Sequence, residues 1–154
     1  MNLIAPILCP ERIRVGLELS DKARVFAEAG QIFAGQAGLE AARVTESLAA
    51  RESLGSTAVG QGVALPHARI KGLRQPLAAY MRLREPLAFD APDGNPVEEL
   101  FVLLVPEHAT EAHLKLLAEV AQMFGDLYFH DHLRRQNNAA GVYQVFADWP
   151  TIAA

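Results

Sequence analysis

Of the five histidines in this 154-residue chain, His67 has the most unusual setting. It stands in "GSTAVGQGVALPHARI", residues 55–70, behind three glycines, a Ser-Thr pair and a proline. A core histidine needs no such approach. Imidazole titrates near ~6.5, so at neutral pH much of it is neutral and able to act as nucleophile, base or ligand. The glycines let the chain pass close to a bound group, and Pro66 restricts the backbone that delivers the ring. Ser56, Thr57 and the backbone N–H groups of this stretch are candidate partners for phosphate oxygens.

Two more residues belong with it. His113 falls near the third position of an expected helix capped by Thr110, on one stripe with Leu117, Val120 and Phe124. That spacing turns the ring inward, and the positive helix start favours its neutral form. Neutral His113 has a hydrogen bond to offer an anion; a core histidine bonded to a backbone carbonyl fits the same pattern. Arg51 continues the apolar stripe Ala41, Val44, Leu48 of a second expected helix, whose end feeds into the His67 segment. A guanidinium fork there suits phosphate oxygens. The same spacing fits an arginine that snorkels, or one that complements the negative end of the helix dipole.

Other chemistries are poorly served. His108, Glu111 and His113 form H-x-x-E-x-H, which misses the zincin spacings, and His130 with His132 reads as a solvated helix surface. No metal and no cofactor is expected. There is no G-x-S-x-G elbow, and the glycine-rich stretch lacks the Gly-Lys-Ser/Thr of a nucleotide loop. A formal charge of −4 argues against a nucleic-acid module. The single Cys9 cannot build a disulfide framework, which suits a reducing, cytoplasmic setting. "MNLIAPILCP" is apolar but lacks a basic leader and is cut by Pro6 and Pro10, so neither a signal peptide nor membrane insertion is expected.

The elements that position these residues follow from periodicity. Alternation predicts a strand over 12–19. Ser20-Asp21 then caps a helix to about 37, with Phe26, Ala29 and Phe33 on one stripe. A second helix runs over 40–54, closed by Gly55. Strands are expected over 62–65 and 77–84, and 100–105 is a continuous apolar run of the kind buried on both faces. The last third reads as helices over 110–124, 127–136 and 140–149. With no repeat or linker, residues 1–154 form one α/β domain. If the 62–65 and 100–105 strands are parallel neighbours, His67 and the 106–113 segment share the crevice beyond their carboxyl ends.

Three segments in this order, "RESLGSTAVGQGVALPHARI", "PLAFDAPDGNPVEELFVLLVP" and "EHATEAHLKLLAEVAQMF", resemble the enzyme IIA domain of the bacterial phosphoenolpyruvate-dependent phosphotransferase system. Within its fructose/mannitol-type superfamily they look most like the nitrogen-regulatory branch. The likeness runs from about residue 12 to about residue 146. It implies a three-layer α/β/α domain, a mixed β-sheet flanked by helices on both faces. It further implies that His67 is phosphorylated, that His113 supports it, and that Arg51 stabilises the phosphoryl group. The implied donor is a small HPr-like phosphocarrier (NPr). The implied role is a phosphocarrier that regulates through its phosphorylation state. The alternatives are a sugar-specific IIA passing phosphate to a separate IIB component and, more distantly, a histidine-rich metal-dependent hydrolase. The chain departs from the family's usual T-G-I-G-N-G loop at Ala58 and Gln61, and has Ala68 where a glycine usually follows the active histidine.

Overall fold

The computed structural model describes residues 2–108 and 111–150. Two short 3-10 turns, Ala5–Ile7 and Pro10–Arg12, lead into strand β1 (Ile13–Leu17). Helices α1 (Lys22–Ala37) and α2 (Ala41–Glu52) follow. Three short strands come next, β2 (Ala58–Gly60), β3 (Val63–Ala64) and β4 (His67–Ile70). Two long strands, β5 (Leu77–Leu87) and β6 (Val97–Pro106), complete the sheet. The chain ends in helices α3 (Glu111–Gly125), α4 (Leu127–Arg134) and α5 (Ala139–Ala147).

The strands form one mixed sheet in the order β1–β5–β6–β3–β2, with β4 also paired to β6. Strand β6 is its axis. It runs antiparallel to β5 on one side; on the other it runs parallel to β3 at Glu99 and Leu100 and to β4 from Leu103 to Pro106. So β3 and β4 lie in succession along the same side of β6, interrupted at Leu65-Pro66. Pro66 has no N–H for the ladder, but its carbonyl accepts the Leu103 N–H at 2.9 Å. The chain resumes at once as β4, and His67 is its first residue.

Alternate residues of β6 serve two cores. Phe101, Leu103 and Val105 pack with Val120, Phe129 and Phe146 of α3, α4 and α5. Leu100, Val102 and Leu104 pack with Phe26, Phe33, Val44 and Leu48 of α1 and α2. Burial on both faces explains the unbroken apolar run, and three α/β/α layers result. Asp21 caps α1 by accepting the Arg24 N–H at 2.8 Å. At Gly30 an added methyl would stand 2.6 Å from the Ala41 carbonyl oxygen, so glycine lets α1 and α2 close on each other.

Several boundaries differ from expectation. Helix α2 ends at Glu52, three residues before Gly55, and unwinds through tight turns such as Gly55 N–H to Glu52 O at 3.1 Å. Helix α4 stops at Arg134, where Arg82 reaches across from β5 to donate to the Leu133 and Gln136 carbonyls. Strands β2 and β4 were not anticipated from periodicity. Thr110, the expected cap of α3, lies outside the described residues. No helix among the described residues is long and apolar enough to cross a membrane.

Candidate active site

His67 pairs with Leu103 in the interior of β6, so it lies beside the sheet's axis, upstream of the strand ends where the crevice was expected. Its neighbour Ala68 packs into the α1–α2 core, and strand alternation turns His67 and Arg69 to the other face, toward α3. The ring is half-buried, with Nδ1 2.9 Å from the Leu65 carbonyl oxygen. A carbonyl only accepts, so Nδ1 carries the proton and Nε2 keeps its lone pair. The ring lines an open cleft of about 510 Å³, together with Ser47, Arg51, Leu54, Arg69 and His113.

His113 is the third residue of α3 and is 8% exposed. Its ring centroid lies 5.1 Å from that of His67, the planes tilted by 56°. Its Nδ1 is buried and has no hydrogen-bond partner among the described residues, so the carbonyl that would tie down a core histidine is not found there. Burial lowers its pKa, and His67 and Arg69 push it the same way. His67 is also lowered: burial and the Arg51 charge favour the neutral ring, against the Leu65 bond and the Glu52 charge. Two neutral imidazoles therefore face each other at neutral pH. In one, the Leu65 bond leaves the Nε2 lone pair available; in the other, Nδ1 has no partner among the described residues.

Arg51 sits in the last turn of α2, half-buried, with Nη1 donating to the Gly55 carbonyl at 3.0 Å. It is not on the buried stripe, which passes from Val44 and Leu48 to Glu52. The helix packs on β4 so that a step of four, not three, continues inward. Arg51 lands on the flank and lines the cleft. Bonding Gly55 uses one of its five N–H donors.

The hydroxyls of Ser56 and Thr57 turn elsewhere. Ser56 Oγ donates to the Phe89 carbonyl and accepts the Ala58 N–H, while buried Thr57 donates through Oγ1 to Glu52 at 2.6 Å. Gln61 adopts a left-handed φ of 57°, where asparagine or glycine is easier. Asp93 accepts its N–H at 2.8 Å and Arg134 donates to its carbonyl at 3.1 Å, so the turn is gripped at both ends.

The expected solvated pair His130 and His132 is half wrong. His132 is exposed, but His130 is 5% exposed and bonded to the fully buried Glu99. Glu99 also accepts from Tyr80 OH at 2.7 Å and Arg134 Nε at 3.1 Å. Burial alone would raise its pKa; the bonds from His130 and Tyr80, with the Arg134 charge, hold the carboxyl below its ordinary value. Sequence reasoning missed this cluster, although Glu99 is in phase with inward-facing Phe101, Leu103 and Val105. No three His, Cys, Asp or Glu side chains among the described residues are grouped to hold a metal ion.

Residues 6–149 match the family described as phosphoenolpyruvate-dependent sugar phosphotransferase system, EIIA 2. The nitrogen regulatory protein of Pseudomonas aeruginosa is 43% identical over 149 residues, covering 96% of this chain and 97% of its own. That of Bradyrhizobium diazoefficiens is 37% identical, covering 98% and 99%. The crystal structure of nitrogen regulatory protein IIA-Ntr from Neisseria meningitidis matches with a TM-score of 0.88 at 44% identity, over 94% of this chain and 99% of that one. Matches that span nearly the whole chain and the same mixed sheet make this chain a member of the EIIA type 2 family of the phosphoenolpyruvate-dependent sugar phosphotransferase system, in its nitrogen-regulatory branch.

Proposed function

We propose that this phosphocarrier of the phosphotransferase system, with a nitrogen-regulatory role, takes its phosphoryl group on Nε2 of His67 from an HPr-like carrier (NPr). Target proteins then read whether the group is present, in the cytoplasm. The observation that carries the reading is the bond from His67 Nδ1 to the Leu65 carbonyl, which leaves the Nε2 lone pair on a ring that lines an open cleft.

The chemistry is an in-line exchange between two nitrogens. The Nε2 lone pair attacks the phosphorus of the carrier's phosphohistidine. A new N–P bond forms as the old one breaks, and the carrier's ring nitrogen keeps the electron pair. The Nδ1 proton stays on His67 throughout, donated to Leu65. Such a transfer depends on positioning and on stabilising charge over the phosphoryl oxygens. Arg51 supplies charge-assisted donors to those oxygens, and His113 supplies one neutral donor.

The test is incubation with phosphoenolpyruvate, an enzyme I-type kinase and an HPr-type carrier, followed by intact-mass measurement. Wild type should gain one acid-labile phosphoryl group per chain, and His67→Ala none, with its melting temperature nearly unchanged because the ring is only half-buried. A His67→Ala protein that still gains one group per chain would sink the assignment.

A further inference from the structure

We propose that Glu52 is a positioning residue for this reaction: its buried carboxylate fixes, through Thr57 and Leu65, the tautomer and orientation of the His67 ring. The inference rests on His67 as the phosphoryl acceptor.

Glu52 closes α2 on its inward stripe and is 8% exposed. A leucine would continue that stripe without the expense of desolvating a charge. The carboxylate instead gathers three donors from two other segments. Thr57 Oγ1 donates to it at 2.6 Å, and the Thr57 N–H is shared between its two oxygens at 3.2 and 3.3 Å. Lys22, the first residue of α1, donates at 2.9 Å from above the Phe89 ring.

From Thr57 the contacts continue through backbone alone. The Thr57 carbonyl accepts the Leu65 N–H at 2.9 Å, and the Leu65 carbonyl accepts His67 Nδ1 at 2.9 Å. Thr57 and Leu65 stand opposite each other just outside the β2–β3 pair, whose Ala58 and Ala64 are register partners. Fixing Thr57 therefore fixes the carbonyl that chooses which His67 nitrogen holds the proton. Hydrogen bonds in such a chain also polarise one another.

The charged and titratable groups facing His67 are Arg51 and Glu52 from α2, Arg69 on its own strand and His113 from α3. Among them Glu52 favours the protonated ring and Arg51 opposes it. Glu52 thus acts on His67 in two separable ways, by hydrogen bonds through the backbone and by charge.

The experiment uses the full chain as wild type, Glu52→Gln and Thr57→Val. The nitrogens of the His67 ring are followed by NMR across pH, and the initial rate of phosphoryl acceptance from an HPr-type carrier is measured over the same range. Wild type should hold the Nδ1–H tautomer. Glu52→Gln keeps the volume but accepts at one atom only, so the tautomers should mix and the His67 titration should move to lower pH. Acceptance should slow about tenfold, short of the ~10² that a 1 Å misplacement brings, with its pH profile displaced the same way. Thr57→Val removes one bond and leaves the charge, so it should mix tautomers with a smaller displacement; it carries the test if the glutamine variant does not fold. Wild-type tautomer and titration in folded variants overturn the proposal, whether or not the rate has changed. Failure of the acceptor assignment is read separately: it would appear as phosphorylated His67→Ala, while the ring spectra still report whether Glu52 orients His67.

Discussion

Replacing Arg51 by alanine tests whether the guanidinium serves the phosphoryl group or only the helix end. The side chain lines the cleft beside His67 and spends one N–H on Gly55. A hydrogen bond to a charged partner contributes about 1.5–3 kcal/mol, and half-exposure reduces this toward about 1–2 kcal/mol. That corresponds to a loss of roughly 5- to 30-fold in the acceptance rate or in the lifetime of the phosphorylated protein. Lysine should recover only part, being a point charge without the planar fork. A pH signature accompanies the loss. The Arg51 charge helps hold His67 below its ordinary pKa, so without it the value moves back up toward ~6.5. An imidazolium has no lone pair on Nε2, so the alanine variant should be impaired more at pH ~6 than at pH ~8. Rapid-quench intact-mass measurement gives the forward rate, and the decay of isolated phosphoprotein gives the lifetime. A lowered melting temperature with both rates at wild-type values would refute the reasoning and leave Arg51 as a device for closing α2.

His113→Ala should slow acceptance by up to about 10²-fold, the low end for deleting one stabilising donor, because the cleft is open to solvent; stoichiometric phosphate on His113 itself in peptide mapping would reverse the two histidines' roles. Glu99→Gln should lose about 2–4 kcal/mol in urea unfolding, somewhat less than the usual ~3–5 for breaking a buried pair, because glutamine still accepts one bond and Arg134, 43% exposed, can be hydrated. Its phosphoryl acceptance should be unchanged, and an unaltered urea midpoint would show that the cluster contributes nothing. Because the folded Glu99 carboxyl lies below its ordinary value, its contribution is complete above the unfolded value of ~4.3 and is lost as pH falls through the folded one. Wild type and Glu99→Gln should therefore converge in stability in acid.

The residues that stood out in the sequence did so because their types conflict with their settings. A histidine after glycines and a proline, a histidine on an apolar helix stripe and an arginine at a helix end converge on one cleft. The buried strand β6 was equally legible, since a strand packed on both faces has only apolar residues to show along most of its length. What escaped was set by long-range pairing. Strand β4 has four residues, too few for a period, and exists because β6 offers it a ladder more than thirty positions away. The Arg51–Glu52 exchange is a limit of another kind: steps of three and four both follow a helix face, and packing on β4 chose the latter. His130 looked like surface because its partner Glu99 lies in a different element, and only the parity of β6 betrays that carboxylate. Ser56 and Thr57 have hydroxyls suited to phosphate, but equally suited to Phe89 and Glu52, which claim them.

The position of His67 also determines how a phosphoryl group there would be felt. Strand β4 pairs with β6 alone among the described strands, and the cleft opens between α2 of one layer and α3 of the other. Leu54, 83% accessible, lines it two residues past the end of α2. A phosphoryl group brings nearly two negative charges, and the groups able to respond are Arg51, Arg69 and His113 at the cleft itself. Beneath them Leu103, Leu104 and Val105 are fully buried and have no charge to shift. Inward, the hydrogen-bonded path from His67 runs through backbone to Glu52 and Lys22, where the charges are already paired. The added charge would therefore stay at the surface of the cleft, beside exposed Leu54. A target that sets an acidic face against Arg51 and Arg69 in the unphosphorylated cleft would meet a desolvation and repulsion barrier once His67 carries phosphate, with no movement of the sheet required.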